Sequence, residues 1–184
     1  MFERLRDGRF LVLGRAGLDL YADPPGTRTE EAQRFTSALG GSAANIAAAI
    51  VKLGGTASLL TTVSDDAVGR FVRRELERYG VESSLVLTVR GEMRTSLAVV
   101  ETRLENCQSV IYRNGAADFS LHTDHVKGID FADYAALIVT GTALAVDPSR
   151  SATLLAMARA RSAAVPVILD VDYRPYSWAS AAEA

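Results

Sequence analysis

The sequence predicts an α/β protein built on a doubly wound, mostly parallel sheet, with a small β insertion standing apart from it. Three observations lead there. Short apolar runs alternate with helical stretches at both ends of the chain, the signature of βαβ units. The run at 10–13 breaks at Gly14 and Gly17, as a strand does when the chain turns over a sheet edge. The middle of the chain instead holds closely spaced strand-like segments with no helix between them.

Each element follows from its local pattern. "RFLVLG" opens with a buried strand, and "DPPGTRTEE" is turn-rich, since Asp23, Pro24, Pro25 and Gly26 do not continue a central strand. "AQRFTSALGG" reads as an extended piece leading into two glycines. Residues 43–53 read as a helix with Ser42 as its cap and Gly54 just past its end. "TASLLTTVS" is the next strand, and Asp65 and Asp66 form the turn and cap of the helix "AVGRFVRRELERYG". "SLVLTV", "TSLAVVET" and "CQSVIYR" read as a β-meander. The α/β alternation then resumes with the strand "YAALIVTG", the helix "DPSRSATLLAMARAR" with Pro148 in its first turn, and the strand "VPVILDVDYRP". Two β-rich insertions, at about 18–39 and 92–114, therefore interrupt one α/β core.

Composition narrows the function. Of 184 residues 48% are apolar and 23% charged, and the formal net charge of −2 points to neither nucleic acid nor an anionic membrane as partner. A single cysteine, Cys107, excludes an intramolecular disulfide and a zinc-type cluster. His122 and His125 sit in a polar stretch and read as a solvated turn; no metal site is expected. The charged opening "MFERLRDGR" does not resemble a signal peptide, so a cytoplasmic location is expected. No G-x-x-x-x-G-K-[ST] loop and no G-x-G-x-x-G fingerprint is present.

The stretch "LGGSAANIAAAIVKLGG" poses the sharpest question. An almost wholly apolar helix should be buried on several sides, and an unpartnered buried amide costs about 1–3 kcal/mol. Asn45 must then bond either to backbone in the first turn or to a polar ligand in a cleft. Gly40 and Gly41 precede the helix, where free N–H groups point outward and a ligand can approach closely. Asp19 is expected at the same sheet edge, where ligands of open α/β sheets lie, and a carboxylate accepts two hydroxyl hydrogen bonds. Together these residues look like a polyol or sugar site.

The run "GGSAANIAAAIVKLGGTASLLTTVSDDAVGRFVRRELERYGV" resembles the first signature region of the ribokinase-like (PfkB) sugar kinases. The resemblance extends from Phe10 to Trp178, and "GRAGLDLYADPPG", "YRNGAAD" and "DVDYRPYSW" liken the chain to sugar-acid kinases of that family. It implies a ribokinase-like fold whose insertions form a lid, with the chain as the N-terminal portion only of a PfkB-type kinase domain spanning 1–184. It implies ATP and Mg²⁺ as cofactors and a sugar-acid substrate: 5-dehydro-2-deoxygluconate of inositol catabolism, or alternatively 2-keto-3-deoxygluconate. Substrate hydroxyls would meet Asp19, Gly40, Gly41 and Asn45. Arg113, with Tyr112 beside it, would pair with the substrate carboxylate, and Arg174 would bind that carboxylate or a transferring phosphoryl group. Asp172 and Arg174 would also face the nucleotide, and lid strands could pair two copies as a homodimer. Two departures stand out: Ser64 replaces the family's usual glycine before the paired aspartates, and the glycine-rich G-A-G-D segment carrying the general base is absent. That aspartate is expected beyond Ala184, so the 184-residue chain is expected to be inactive alone. The alternative is a non-catalytic fragment or binding module.

Overall fold

The structure, a computed structural model, describes residues 5, 8–174, 178 and 180–182. Most of the charged opening stretch, and residues 175–177 of the last quoted run, lie outside them. The main sheet has five strands: β1 (Arg9–Leu13), β4 (Thr56–Ser64), β5 (Val86–Val89), β8 (Ala136–Thr140) and β9 (Val167–Asp170), in the order β5-β4-β1-β8-β9. Every pairing in it is parallel. The α-helices with both bounds among the described residues are α1 (Ser42–Lys52), α2 (Ala67–Arg78), the short α3 (Thr123–Lys127) and α4 (Ser149–Ser162).

The strands are buried on both faces because helices cover both. In β1 Leu11 and Leu13 point to one side and Val12 to the other, as the two-residue period requires. Leu11 and Leu13 join Leu60, Leu137 and Val139 against Ala152, Ala156 and Ala160 of α4. Val12 joins Leu59, Val63 and Ile138 against Ala43, Ala44, Ala47 and Ala48 of α1 and Val72 and Leu76 of α2. Alanines three and four apart let each helix lie close on the sheet. This is the doubly wound arrangement expected from the sequence.

One expectation about the strands is corrected. Residues 84–89 belong to no meander: β5 pairs parallel with β4, Thr61 opposite Val86 and Ser64 opposite Val89. Helix α2 is thus the crossover of a further βαβ unit. Spacing alone did not distinguish it, because only the short stretch 90–96 separates β5 from the next strand.

A second sheet of four strands stands beside the first, in the order β3-β2-β6-β7. It comprises β2 (Gly17–Asp23), β3 (Arg34–Gly40), β6 (Leu97–Val100) and β7 (Ser109–Tyr112). β2 runs antiparallel to β3 and parallel to β6, and β6 runs antiparallel to β7. One face packs on α2. Alternation puts Asp19, Ala98 and Ile111, cross-strand neighbours in register, on the other face. Buried polar contacts fix the base of the β6–β7 hairpin. Ser64 N donates to Thr95 Oγ1 at 2.9 Å, the two hydroxyls lie 2.8 Å apart, and Thr95 N donates to Ser64 Oγ at 2.9 Å. On the return side Thr62 Oγ1 donates to the Ala117 carbonyl at 2.5 Å.

Candidate active site

A cleft of about 270 Å³ lies between that free face of the second sheet and the start of α1. Its wall unites residues distant in sequence: Asp19 on β2, Gly41 and Asn45 at the start of α1, Arg113 just after β7, and Asp172 and Arg174 after β9. Most of the residues singled out from the sequence therefore meet in one place.

The local reasons differ from those expected at several positions. Gly40 is absent from the wall. It makes room for Asp19, since a Cβ at Gly40 would stand 2.0 Å from Asp19 Oδ1. Gly41, not Ser42, is the N-cap of α1, with φ of 96°, which glycine tolerates best. A Cβ there would also stand 2.3 Å from the Arg15 carbonyl. The premise about Asn45 is overturned: it is exposed. α1 buries Ala43, Ala44, Ala47 and Ala48, while Asn45, Ala49 and Lys52 form the outward stripe at helical spacing. Alanine is small enough to occupy either face, so composition hid the stripe. Asn45 is in the cleft because of its position, without a desolvation penalty demanding a partner.

Asp19 is the group under electrostatic tension. Its Oδ1 is buried and accepts no hydrogen bond. Burial raises its pKa above the ordinary carboxylate value, and the Arg15 charge and the Tyr21 hydroxyl only partly oppose this. A carboxylate in that state gains from any ligand hydroxyl that donates to it.

The arginines are more committed than expected. Arg113 is buried and pairs with buried Asp118: Nε donates to Oδ2 at 3.1 Å and Nη2 at 2.5 Å. Nη2 also donates to the Thr142 carbonyl at 3.0 Å, and the guanidinium lies 4.3 Å above the Phe119 ring. Arg113 is thus a brace between the end of β7, the turn holding Asp118 and the loop after β8. Asp118, which closes the run Gly115-Ala116-Ala117-Asp118, serves Arg113. Tyr112 points to the opposite face and is 60% exposed, beside Arg94 and Leu97. Arg174 Nε donates to Asp172 Oδ1 at 2.9 Å, with the Arg174 side chain 54% exposed.

Other groups singled out from the sequence lie elsewhere. Asp66 caps α2, its Oδ1 accepting from Val68 N at 2.9 Å and Gly69 N at 3.0 Å, and Asp65 pairs with Arg90 at 3.2 Å. His122 N donates to His125 Nδ1 at 3.0 Å at the start of α3. Among the described residues, no group of three or more His, Cys, Asp or Glu is placed to hold a metal ion, and no helix is long and apolar enough to cross a membrane. Sequence reasoning missed Arg15, Ser42, Ser109 and Thr142, which also line the cleft. Only Arg15 carried a readable signal, as a cation in the turn that leads into the strand bearing Asp19.

Comparison with known proteins agrees with this architecture. Residues 8–184 match the pfkB family of carbohydrate kinases. The chain is 46% identical over 168 residues to a 5-dehydro-2-deoxygluconokinase of Photobacterium profundum, covering 91% of this chain and 51% of that one. It is 36% identical over 183 residues to a 5-dehydro-2-deoxygluconokinase of Geobacillus kaustophilus, covering 99% of this chain and 55% of that one. Among solved structures, a fructokinase with bound ATP from Xylella fastidiosa superposes with a TM-score of 0.83 at 25% identity, covering 95% of this chain and 55% of that one. A PfkB protein from Polaromonas sp. JS666 shares the fold with a TM-score of 0.84 at 21% identity, covering 95% of this chain and 59% of that one. The chain spans about half the length of the curated relatives it matches. The chain belongs to the pfkB family of carbohydrate kinases.

Proposed function

We propose that this chain is the sugar-holding part of an ATP-dependent kinase that phosphorylates a hydroxyl of a sugar acid, 5-dehydro-2-deoxygluconate, in inositol catabolism in the cytoplasm. The observation that carries the reading is the convergence of Asp19 and Asn45 on one arginine-bearing cleft. The names of the relatives support the substrate, and the ATP-bound fructokinase supports the donor.

In this reading Asp19 accepts substrate hydroxyls and Asn45 offers an amide that both donates and accepts. Gly41 lets the ligand approach the first turn of α1, Gly40 seats the Asp19 carboxylate, and Arg113 braces the roof. Arg174, half exposed in the same wall and steadied by Asp172, fits a phosphoryl group of ATP. Among the described residues no group of three or more His, Cys, Asp or Glu is placed to hold Mg²⁺. Holding the acceptor hydroxyl still is the main contribution of this half, because phosphoryl transfer relies on positioning and charge stabilisation. The deprotonating aspartate is assigned to the part of the relatives' length that this chain does not span. The second sheet acts as the lid over the cleft, formed by insertions at about 18–39 and 92–114. Its exposed edge strand β3, with Phe35 40% exposed, is where a second copy would pair.

Full-length protein incubated with ATP should phosphorylate 5-dehydro-2-deoxygluconate in preference to 2-keto-3-deoxygluconate, and either in preference to ribose. Preference for ribose would contradict the sugar-acid assignment. A second reading, a module that binds sugar without transferring phosphate, draws on the half-length span. Phosphoryl transfer by the 184-residue chain itself would exclude it.

A further inference from the structure

Arg113 lines the cleft and forms a buried ion pair with Asp118, the two side chains only 8% and 4% exposed. Asp118 lies in the helical turn Ala117–Ser120, which is tied on both sides. Ala117 N donates to the Arg94 carbonyl at 2.7 Å, and the Ala117 carbonyl accepts from Thr62 Oγ1 of β4. A guanidinium has five N–H donors. Nε and Nη2 each give one to Asp118 Oδ2, and Nη2 gives its second to the Thr142 carbonyl. Among the described residues the two donors of Nη1 have no acceptor. Stability does not account for the arrangement. Taking an ion pair out of water costs about as much as the pairing gains, and Asp118 Oδ1 is buried with no hydrogen bond among the described residues.

What the pair does supply is direction. Arginine is a long side chain, and ordering it at the moment of binding costs affinity. Asp118 orders it beforehand from an anchored turn, and the Phe119 ring lies 4.3 Å from the guanidinium. Nη1 is the fixed corner left for a ligand. We propose that Asp118 is a positioning residue, which holds Arg113 so that Nη1 donates to the carboxylate of the sugar acid. The inference rests on the sugar-acid reading above and on the carboxylate contact that the resemblance implies for Arg113; Asp118 itself touches no ligand. The charge of Asp118 alone would act in the opposite direction, since an anion beside the cleft repels an acid.

Calorimetric titration of the chain with 5-dehydro-2-deoxygluconate tests the proposal, using wild type, D118N, R113Q and the double variant, with circular dichroism melts to verify folding. D118N should weaken the acid roughly threefold to tenfold, the cost of ordering one long side chain. R113Q should weaken it roughly tenfold to a hundredfold, the range of a hydrogen bond to a charged group. In the R113Q background D118N should have no further effect, because Asp118 acts through Arg113. A general structural role would weaken binding in both backgrounds. Affinity equal to wild type or tighter in either single variant, or a further loss in the double variant, overturns the proposal and leaves the sugar-acid reading standing. If a variant does not fold, NMR of the wild-type guanidinium decides. The acid should shift the Arg113 Nη1 signal and leave the Nε signal, bonded to Asp118, in place; a shifted Nε or an unmoved Nη1 overturns the role of Asp118. Wild type that does not bind the acid contradicts the sugar-acid reading itself.

Discussion

At the scale of single residues, the chemistry centres on Asp19. Its pKa is raised chiefly by burial, with Arg15 and Tyr21 in partial opposition. The sign of the consequence follows from linkage. Between the ordinary carboxylate value of 3.8 and the raised one, the folded chain binds more protons than the unfolded chain. Stability contributed by protonated Asp19 is therefore present at low pH and lost as pH rises through that window. The ionised form needed to accept two hydroxyls is held at neutral pH at some cost to folding. D19N should accordingly raise the thermal midpoint at about pH 7, make little difference near pH 3, and weaken sugar-acid binding roughly tenfold to a hundredfold. A D19N variant less stable than wild type at neutral pH would contradict this assignment of charge and burial. Asp19, Gly41 and Asn45 were legible in the sequence as a group because a strand, a glycine pair and a helix start place them at one edge. The commitment of Arg113 to Asp118 was not legible, because only the folded backbone brings the intervening turn round to close that pair.

At the scale of elements, the junction between the two sheets is the distinctive feature. Ser64, at the end of β4, stands where the resemblance leads one to expect glycine, and it exchanges buried hydrogen bonds with Thr95 at the entry to β6. Thr62 and Ala117 repeat the connection at the helical turn that follows β7. S64G removes the acceptor of Thr95 N and the partner of Thr95 Oγ1 in a buried setting. The expected loss is about 1–3 kcal/mol, the desolvation cost of leaving such groups unpaired, measured by urea denaturation. A loss below about 0.5 kcal/mol would show that the junction does not hold the hairpin. The βαβ units at both ends of the chain were readable from periodicity. The allocation of residues 84–89 was not, because so short a strand has the same pattern whether it joins a meander or the edge of a parallel sheet. Tyr112 and Arg113 likewise are neighbours in sequence, and the pleat alone decides which faces the cleft.

At the scale of the whole molecule, the main sheet ends at β9, an apolar strand with little cover. Ile168 is 45% exposed and Val171, just beyond the strand, 68%. Parallel strands are normally covered on both faces, and the chain spans about half the length of its relatives. The cleft edge gathers Asp19, Asn45 and the arginines Arg15, Arg113 and Arg174, and that convergence is the central claim. The most direct measurement is an NMR titration of the chain with 5-dehydro-2-deoxygluconate, following the Asn45 side-chain amide and the Asp19 carboxyl carbon. Both signals should move together with one dissociation constant, and D19N should raise the dissociation constant read at Asn45 roughly tenfold to a hundredfold. Absence of any shift, or shifts confined to residues outside the cleft, would contradict the account.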